Sequence, residues 1–232
     1  MSRVTGRWRG AALGSAALAA GAVVLLGSRL AVDEQPPLDH WVRRRTSTPG
    51  PRRVSKLAAP LFPLGLPGGY ITISYLLARS LRRRRRSGGP AIVTAAWAGW
   101  LVHRGLKLVF VRERPARPGQ RRRLDSYPSG HTTGTTALAV TAARVLARHG
   151  LVSRRRAALI GLGAPVVMGV YRLIDDEHWA TDVIGGWLLG GSIALTCDAL
   201  LGERGGGADA TRGPAVKRRG SRPRVRRERP TS

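Results

Sequence analysis

The chain has 232 residues, with 40 Lys or Arg against 13 Asp or Glu, and a formal net charge of +27. This length excludes a large multidomain machine, and the charge demands an anionic partner such as nucleic acid, a lipid headgroup or a phosphorylated substrate. The single cysteine, Cys197, excludes an intrachain disulfide and any multi-cysteine zinc or iron–sulfur site. The chain is also 43% hydrophobic, and its arginines fall in short blocks between long uncharged stretches.

The uncharged stretches predict membrane helices, because crossing a bilayer takes about 17 to 25 mostly apolar residues. We predict an all-α, polytopic membrane protein built as a bundle of six transmembrane helices, at residues 11–31, 57–78, 90–111, 131–148, 156–172 and 183–201. The first run is expected to be an uncleaved helix rather than a signal peptide, since five apolar segments follow it and its end is a poor cleavage site.

The predicted organisation has three parts. A basic cytoplasmic N-terminus at 1–10 precedes the membrane domain at 11–201, and a disordered, basic cytoplasmic tail occupies 202–232, which is rich in Gly, Pro and Arg. Residues 33–56, with the amphipathic stretch 38–45, are expected to include a surface helix bordering the site of lipid entry.

Loop charge predicts the orientation. The N-terminus, residues 79–89, residues 148–156 and the tail together hold 23 Lys and Arg, whereas the loops on the other side hold 13 and carry nine of the 13 acids. Because Lys and Arg in short loops stay in the cytoplasm, both termini are predicted to be cytoplasmic.

The first candidate site begins in the third predicted helix. Lys107 and Arg114 are seven residues apart, which is two helical turns, so we expect them on one face of a helix that ends before Pro115. Two such cations at a membrane boundary can bind a phosphate. The alternative is that they only reach for the membrane surface, as Lys and Arg near helix ends often do.

The stretch Pro128-Ser129-Gly130-His131 then runs into an apolar segment, which places Ser129 at a helix N-cap. Backbone N–H groups at a helix N-terminus form an anion-binding site, and Gly130 would let a ligand approach the backbone closely. The alternative is an ordinary capped helix start with a satisfied histidine.

In the next loop, His178 and Asp182 are four residues apart. A helical turn would put the carboxylate beside the imidazole, which orients the ring and leaves its other nitrogen free to attack or to exchange a proton. The alternative is a surface ion pair beside an interfacial Trp179. We expect no metal and no cofactor, because no second ligand pair has suitable spacing.

Together the patterns Lys-x6-Arg-Pro, Pro-Ser-Gly-His and Arg-x5-His-x3-Asp closely resemble the motifs of the type 2 phosphatidic acid phosphatase (PAP2) superfamily. The resemblance covers about residues 90–200 and implies a PAP2/haloperoxidase-like helical core. It implies that His178 is a nucleophile forming a phosphohistidine, that Asp182 orients it, and that His131 is the general acid. It further implies that the phosphoryl oxygens are held by Lys107, Arg114, Ser129, Gly130 and Arg172.

Two features depart from the family pattern. The third motif usually opens with a small Ser where this chain has Tyr171. The acidic run 175–177, just before His178, is expected to repel an anionic substrate and to favour a protonated imidazole, unless its carboxylates face Arg117 or the arginines at 121–123.

We therefore predict a metal-independent phosphatase of the cell membrane, with its site at the outer face of the bilayer. Phosphatidate, phosphatidylglycerophosphate, a polyprenyl pyrophosphate and a polyprenyl-phosphate sugar phosphate fit equally well as substrates. The alternatives are a phosphotransferase with a lipid or sugar acceptor, and a non-catalytic phospholipid-binding membrane protein. The membrane spans disfavour a soluble vanadate-binding haloperoxidase, and no module for nucleic acid is present. The oligomeric state stays open.

Overall fold

A computed structural model describes residues 2–32, 35–47, 62–117 and 119–202. Within these ranges the chain is helical apart from its loops and one isolated β-bridge between Arg112 and Asp125. The helices are α1 (Ser2–Val32), α2 (Pro37–Thr46), α3 (Phe62–Gly65), α4 (Pro67–Arg83), α5 (Gly89–Val109), α6 (Gly130–Arg148), α7 (Arg154–Ile174) and α8 (Ala180–Leu201). α7 contains a π-helical turn at Leu159–Gly163.

The predicted helices correspond to α1 and to α4 through α8. The second begins later than predicted, at Pro67, because Leu66 is extended and the proline is suited to the first helical turn. It then continues to Arg83. The described residues do not include 57–61 of that prediction or the predicted tail from 203 onward. The helix expected at 38–45 is confirmed as α2.

Three described helices are long and apolar enough, by length and composition, to cross a membrane: Arg7–Val32 within α1, then α7 and α8. Large apolar side chains on their outer faces are left exposed, with Leu18 at 78% and Leu159 at 73%. Such surfaces are suited to lipid rather than to water. α4, α5 and α6 carry Arg or Lys toward at least one end, which lowers their mean hydropathy.

α8 lies at the centre and packs against α6, α1 and α5. Glycines bring α8 close to α6: a Cβ on Gly190 would lie 2.6 Å from the Thr133 carbonyl oxygen, and one on Gly186 would lie 2.9 Å from that of Ser129. Small residues at helix interfaces permit this backbone approach in membrane proteins. The start of α6 is thereby held against the start of α8.

Candidate active site

Two loops meet at one end of the bundle. Residues 110–129 join α5 to α6, and residues 175–179 join α7 to α8. The Ser129 N–H donates to the Asp182 carbonyl oxygen at 3.0 Å, and the Trp179 indole N–H donates to that of Glu113 at 2.8 Å. The residues predicted from the sequence therefore lie on these two loops or on the helix ends beside them.

His178 and Asp182 form a buried pair. His178 is 3% exposed and Asp182 is fully buried, with His178 Nδ1 3.4 Å from Asp182 Oδ2. Asp182 is the third residue of α8, and the same oxygen accepts the Trp179 N–H at 2.9 Å. The predicted proximity of carboxylate and imidazole is observed, and the helix start fixes the carboxylate in place.

Two further contacts hold the Asp182 carboxylate. The Ser126 hydroxyl donates to its Oδ2, and Arg112 Nη1 donates to its Oδ1 at 2.6 Å. Arg112 also donates through Nη2 to Asp39 of α2 at 2.6 Å, so one guanidinium joins two buried carboxylates. Asp39 in turn accepts both the N–H and the hydroxyl of Thr181, at 2.9 and 2.7 Å.

Sequence reasoning missed Asp39, Arg112 and Ser126. Arg112 is one of six arginines in its loop, and nothing in its spacing marked it out. Asp39 offered a weak signal, because it is an acid within an otherwise basic amphipathic stretch, but its partners lie at least 73 residues away.

Lys107 and Arg114 meet at Asp125. Lys107 Nζ donates to the Asp125 carbonyl oxygen, and Arg114 grips the Asp125 carboxylate through Nε at 2.9 Å and Nη2 at 3.0 Å. The helical argument for their proximity was wrong, because α5 ends at Val109 and Arg114 lies in the loop. The loop instead folds back on itself through backbone hydrogen bonds, including Arg114 N–H to the Arg123 carbonyl oxygen at 2.9 Å.

The charge around Asp125 is strongly positive. Burial acts to raise the pKa of this carboxyl, but the hydrogen bonds from Arg114 and the charges of Lys107, Arg114 and Arg123 lower that pKa to about 2. Asp125 is therefore ionised at any physiological pH and holds the two predicted phosphate ligands in place.

Glu177 lies within the predicted phosphate-binding cations. Its Oε2 accepts from Arg114 Nη1 at 2.5 Å and lies 3.3 Å from Arg172 Nη2, and its Oε1 accepts from Arg117 Nη1 at 2.7 Å. The carboxylate is thus gripped by the arginines rather than directed at His178. Of the alternatives left open for the acidic run, this carboxylate faces Arg117, and Arg123 lies 3.5 Å away.

Asp176 and Asp175 also face arginines. Asp176 accepts from Arg43 of α2 at 2.9 and 3.0 Å, and Asp175 accepts from Arg172 at 3.3 Å. Burial, followed by the charges of Arg114, Lys107 and Arg172, lowers the pKa of His178 well below its ordinary value of 6.5. The imidazole is therefore neutral, contrary to the expectation that the acidic run would keep it protonated, because the nearby cations and burial outweigh the carboxylates.

His131 occupies the first turn of α6 and stacks on Phe62 of α3, with ring centroids 5.0 Å apart. Arg172 also lies over the Phe62 ring, at 5.5 Å, so this aromatic ring covers both residues. Arg172, Arg114 and Lys107 all lie within electrostatic range of His131. The ring of Tyr171, the departure from the family motif, lies 6.1 Å from that of Phe62.

Ser129 occupies the predicted N-cap position, but its hydroxyl does not cap the helix. It is fully buried and accepts a hydrogen bond from the Thr132 hydroxyl at 3.0 Å. Gly130 is required for packing, since a Cβ there would lie 2.5 Å from His103 Nε2. A role for either in binding phosphate stays a prediction.

Three buried polar atoms without hydrogen-bond partners belong to predicted site residues. Among the described residues, His131 Nε2, Arg172 Nε and His178 Nδ1 are all buried and make no hydrogen bond. Buried polar groups are normally satisfied, and leaving one unpaired costs about 1 to 3 kcal/mol. His131 Nε2 and Arg172 Nε, which lie among fixed cations, can take up an oxyanion, whereas His178 Nδ1 faces the Asp182 carboxylate at 3.4 Å.

The sequence is similar to those of known phosphatases. The sequence profile of a family described as "PAP2 superfamily" matches residues 90–204. The chain is 30% identical over 149 residues to the decaprenylphosphoryl-5-phosphoribose phosphatase of Mycobacterium tuberculosis (strain CDC 1551 / Oshkosh). The match covers 59% of this chain and 73% of that protein. The same protein from strain ATCC 25618 / H37Rv gives the same match.

A solved structure shares the fold. The chain is similar to the crystal structure of a transmembrane PAP2 type phosphatidylglycerolphosphate phosphatase from Bacillus subtilis, with a TM-score of 0.64 and 19% identity. The match covers 80% of this chain and 94% of that one. The chain's three apolar helices of membrane-spanning length, within a fold shared with this transmembrane neighbour, indicate a membrane protein.

Proposed function

This chain belongs to the PAP2 superfamily of phosphatases, and we propose that it hydrolyses a lipid phosphate or polyprenyl (pyro)phosphate through a phosphohistidine on His178. The observation that carries the proposal is the environment of that histidine. It is buried and neutral, a fixed carboxylate lies on its Nδ1 side, and three cations act on its ring. A neutral imidazole oriented in this way is a nucleophile directed at an anion.

In the first step, His178 Nε2 attacks phosphorus while the bond from phosphorus to the leaving oxygen breaks. Lys107, Arg114 and Arg172 hold the phosphoryl oxygens and stabilise the charge that spreads over them. His131, in its protonated form, gives its proton to the leaving oxygen, a contribution of about 10² to 10⁴ in rate. The charge of the incoming phosphate favours that protonated form by offsetting the neighbouring cations.

In the second step, water attacks the phosphohistidine. His131, now neutral, takes a proton from the water as its oxygen bonds to phosphorus, and the nitrogen–phosphorus bond breaks. Inorganic phosphate leaves, and His178 returns to its neutral form with Asp182 beside it. The fixed cations supply the charge stabilisation, so the proposed mechanism contains no metal.

An apolar groove supports a lipid substrate. A cavity of about 360 Å³ lies between α4, α6 and α7 and is lined chiefly by apolar side chains, among them Leu64, Leu138 and Met168. It adjoins the site, because a Cβ on Gly65 would lie 2.5 Å from Met168 Cε and 3.1 Å from His131 Cδ2. A phosphate beside His131 could thus keep its hydrocarbon chain in this groove. The relative named as a decaprenylphosphoryl-5-phosphoribose phosphatase favours a polyprenyl chain.

The proposed placement in the membrane has six spans, formed by α1 and α4 through α8. The membrane domain is proposed to be 11–201, with basic segments 1–10 and 202–232 on the cytoplasmic side. Loop charge supports this orientation, with 23 Lys and Arg on the proposed cytoplasmic side against 13 on the other. The active site then faces the extracytoplasmic side.

The test is phosphate release by detergent-purified protein in excess chelator. The panel contains phosphatidate, phosphatidylglycerophosphate, a polyprenyl pyrophosphate and a polyprenyl-phosphate sugar phosphate. We expect release from at least one lipid by the wild type and none above background by H178A. His149→Ala is the matched control, because His149 lies at the opposite end of the bundle against Ser87.

A second readout tests the intermediate. Brief reaction with a ³²P-labelled substrate should label the wild type with an acid-labile, alkali-stable phosphoryl group that maps to His178. Labelling at another residue, or equal release by wild type and H178A, would refute the mechanism. Chelator-sensitive release would refute its metal independence.

A further inference from the structure

The end of α4 and the loop that follows it carry the block Arg82 to Arg86, at the opposite end of the bundle from the candidate active site. Gly89, at the start of α5, is 18 residues from Lys107, or about 27 Å along the helix. Three arginines at this end line a groove of about 650 Å³ between α4 and α5, together with Tyr75, Ala78, Gly89, Pro90 and Val93. The three are Arg79, Arg82 and Arg86.

Helical geometry explains why these three share the groove. Tyr75, Arg79 and Arg82 lie four and then three residues apart, which places them on one face of α4. Arg86 follows the end of the helix, where Arg85 adopts a left-handed conformation with φ 54° and the Arg86 N–H donates to the Leu81 carbonyl oxygen at 2.9 Å. This helix ending, usually built on glycine, turns the chain so that Arg86 joins the groove.

The three arginines have no acidic partner among the described residues. This distinguishes them from Arg114, Arg117 and Arg172, which are all paired with carboxylates. Asp198, the carboxylate bonded by Arg144 and Arg148 on α6, is already shared by those two. Within the part of the chain that the structure describes, the groove therefore presents three positive charges with no acidic partner.

The other walls of the groove are apolar. Tyr75, Ala78, Pro90 and Val93 extend from the arginines along α4 and α5, and the Tyr75 hydroxyl accepts the Trp97 indole N–H at 3.3 Å. Its floor is tight, since a Cβ on Gly89 would lie 3.2 Å from that of Ala78. A free phosphate would use only the cations, whereas a phospholipid would use the cations and the apolar walls.

We propose that this groove is a binding site for an anionic phospholipid, with its headgroup phosphate on Arg79, Arg82 and Arg86 and an acyl chain along the α4–α5 wall. The site is separate from the proposed hydrolysis. Its ligand is bound intact.

The experiment compares two triple variants that remove the same charge from one arginine block. R79Q/R82Q/R86Q removes the groove cations, whereas R83Q/R84Q/R85Q removes three neighbours that do not line the groove. Tail-labelled phosphatidylglycerol is titrated into the detergent-purified full chain, with tail-labelled phosphatidylcholine as the neutral comparison. Inorganic phosphate is added as a competitor, and hydrolysis of a soluble aryl phosphate confirms that each variant is folded.

We expect the groove variant to bind phosphatidylglycerol at least about tenfold more weakly than the wild type, because each lost cation near an anionic headgroup weakens binding severalfold. The other variant should stay within about twofold. Equal losses in both variants would overturn the proposal, as they would show a diffuse effect of charge. Equal binding of the two lipids, or full displacement by millimolar inorganic phosphate, would also overturn it.

A second measurement needs no variant. Phosphatidylglycerol with a photoreactive group in its acyl chain should label the wild-type chain within residues 67–93. Labelling spread evenly over the exposed apolar faces of α1, α7 and α8 would contradict a defined site.

Discussion

Removing Arg112 should destabilise the protein more than removing any exposed arginine. Arg112 is 3% exposed and joins Asp39 and Asp182, which are 0% exposed, at 2.6 Å each. R112M would keep much of the side-chain volume and leave two buried carboxylates without their shared cation. Breaking a buried pair from one side costs about 3 to 5 kcal/mol, a large part of a typical total stability of about 5 to 15 kcal/mol.

The matched control is R122M. Arg122 pairs with Glu113, but its side chain is 80% exposed, so the loss there should be below about 1 kcal/mol. Free energies of unfolding would be measured for both variants by denaturant titration in mixed micelles. R112K should not restore the wild-type value, because an ammonium lacks the two-armed geometry that reaches both carboxylates.

The activity of R112M provides a second readout. Asp182 would lose the contact that fixes its Oδ1, so the kcat should fall further than the KM rises. If R112M lost no more stability than R122M, the view that this guanidinium holds the Asp182 carboxylate in place would be refuted.

Three further predictions concern other parts of the chain. E177Q should bind inorganic phosphate several times more tightly than the wild type, measured as product inhibition, because the carboxylate that competes with phosphate for the cations is gone. E113Q should show no change, and equal effects of the two substitutions would refute competition between Glu177 and phosphate. Since the folded His178 stays neutral while the unfolded chain binds a proton near pH 6.5, the wild type should lose stability relative to H178N as the pH falls, by about 2 kcal/mol between pH 7.5 and 5. A pH-independent difference in their free energies of unfolding would show that the folded imidazole takes up the proton. G190A should lower the free energy of unfolding by about 1 to 3 kcal/mol, because the added methyl group forces α8 away from α6, whereas G191A, whose methyl group would meet nothing within 4 Å, should be neutral or stabilising. Thermal unfolding that ranks the two variants otherwise would contradict this packing.

Much of the fold could be predicted from the sequence because long uncharged runs indicate the helices of a membrane protein. Uncharged stretches between arginine blocks therefore located six long helices, with the largest error at α4, where a proline rather than hydropathy sets the start. The pair His178 and Asp182 could be predicted because both residues lie within one short segment.

Contacts between distant segments could not be predicted. Arg112 meets Asp39 across 73 residues, and Thr181 meets it across 142, so no periodicity connects them. Lys107 and Arg114 do converge, but through a loop that folds back rather than through the helix inferred from their spacing. Composition likewise gave no sign that Glu177 would be gripped by the predicted phosphate ligands.

The contact between Asp39 and Thr181 also determines when, during synthesis of the chain, this network can form. The two residues are 142 positions apart, and at about 5 to 20 residues per second the ribosome needs about 7 to 30 s to travel from one to the other. Throughout that interval Asp39 of α2 lacks its partner Thr181 on α8. A nascent chain therefore cannot form the buried network of Asp39, Arg112 and Asp182 until α8 has been synthesised.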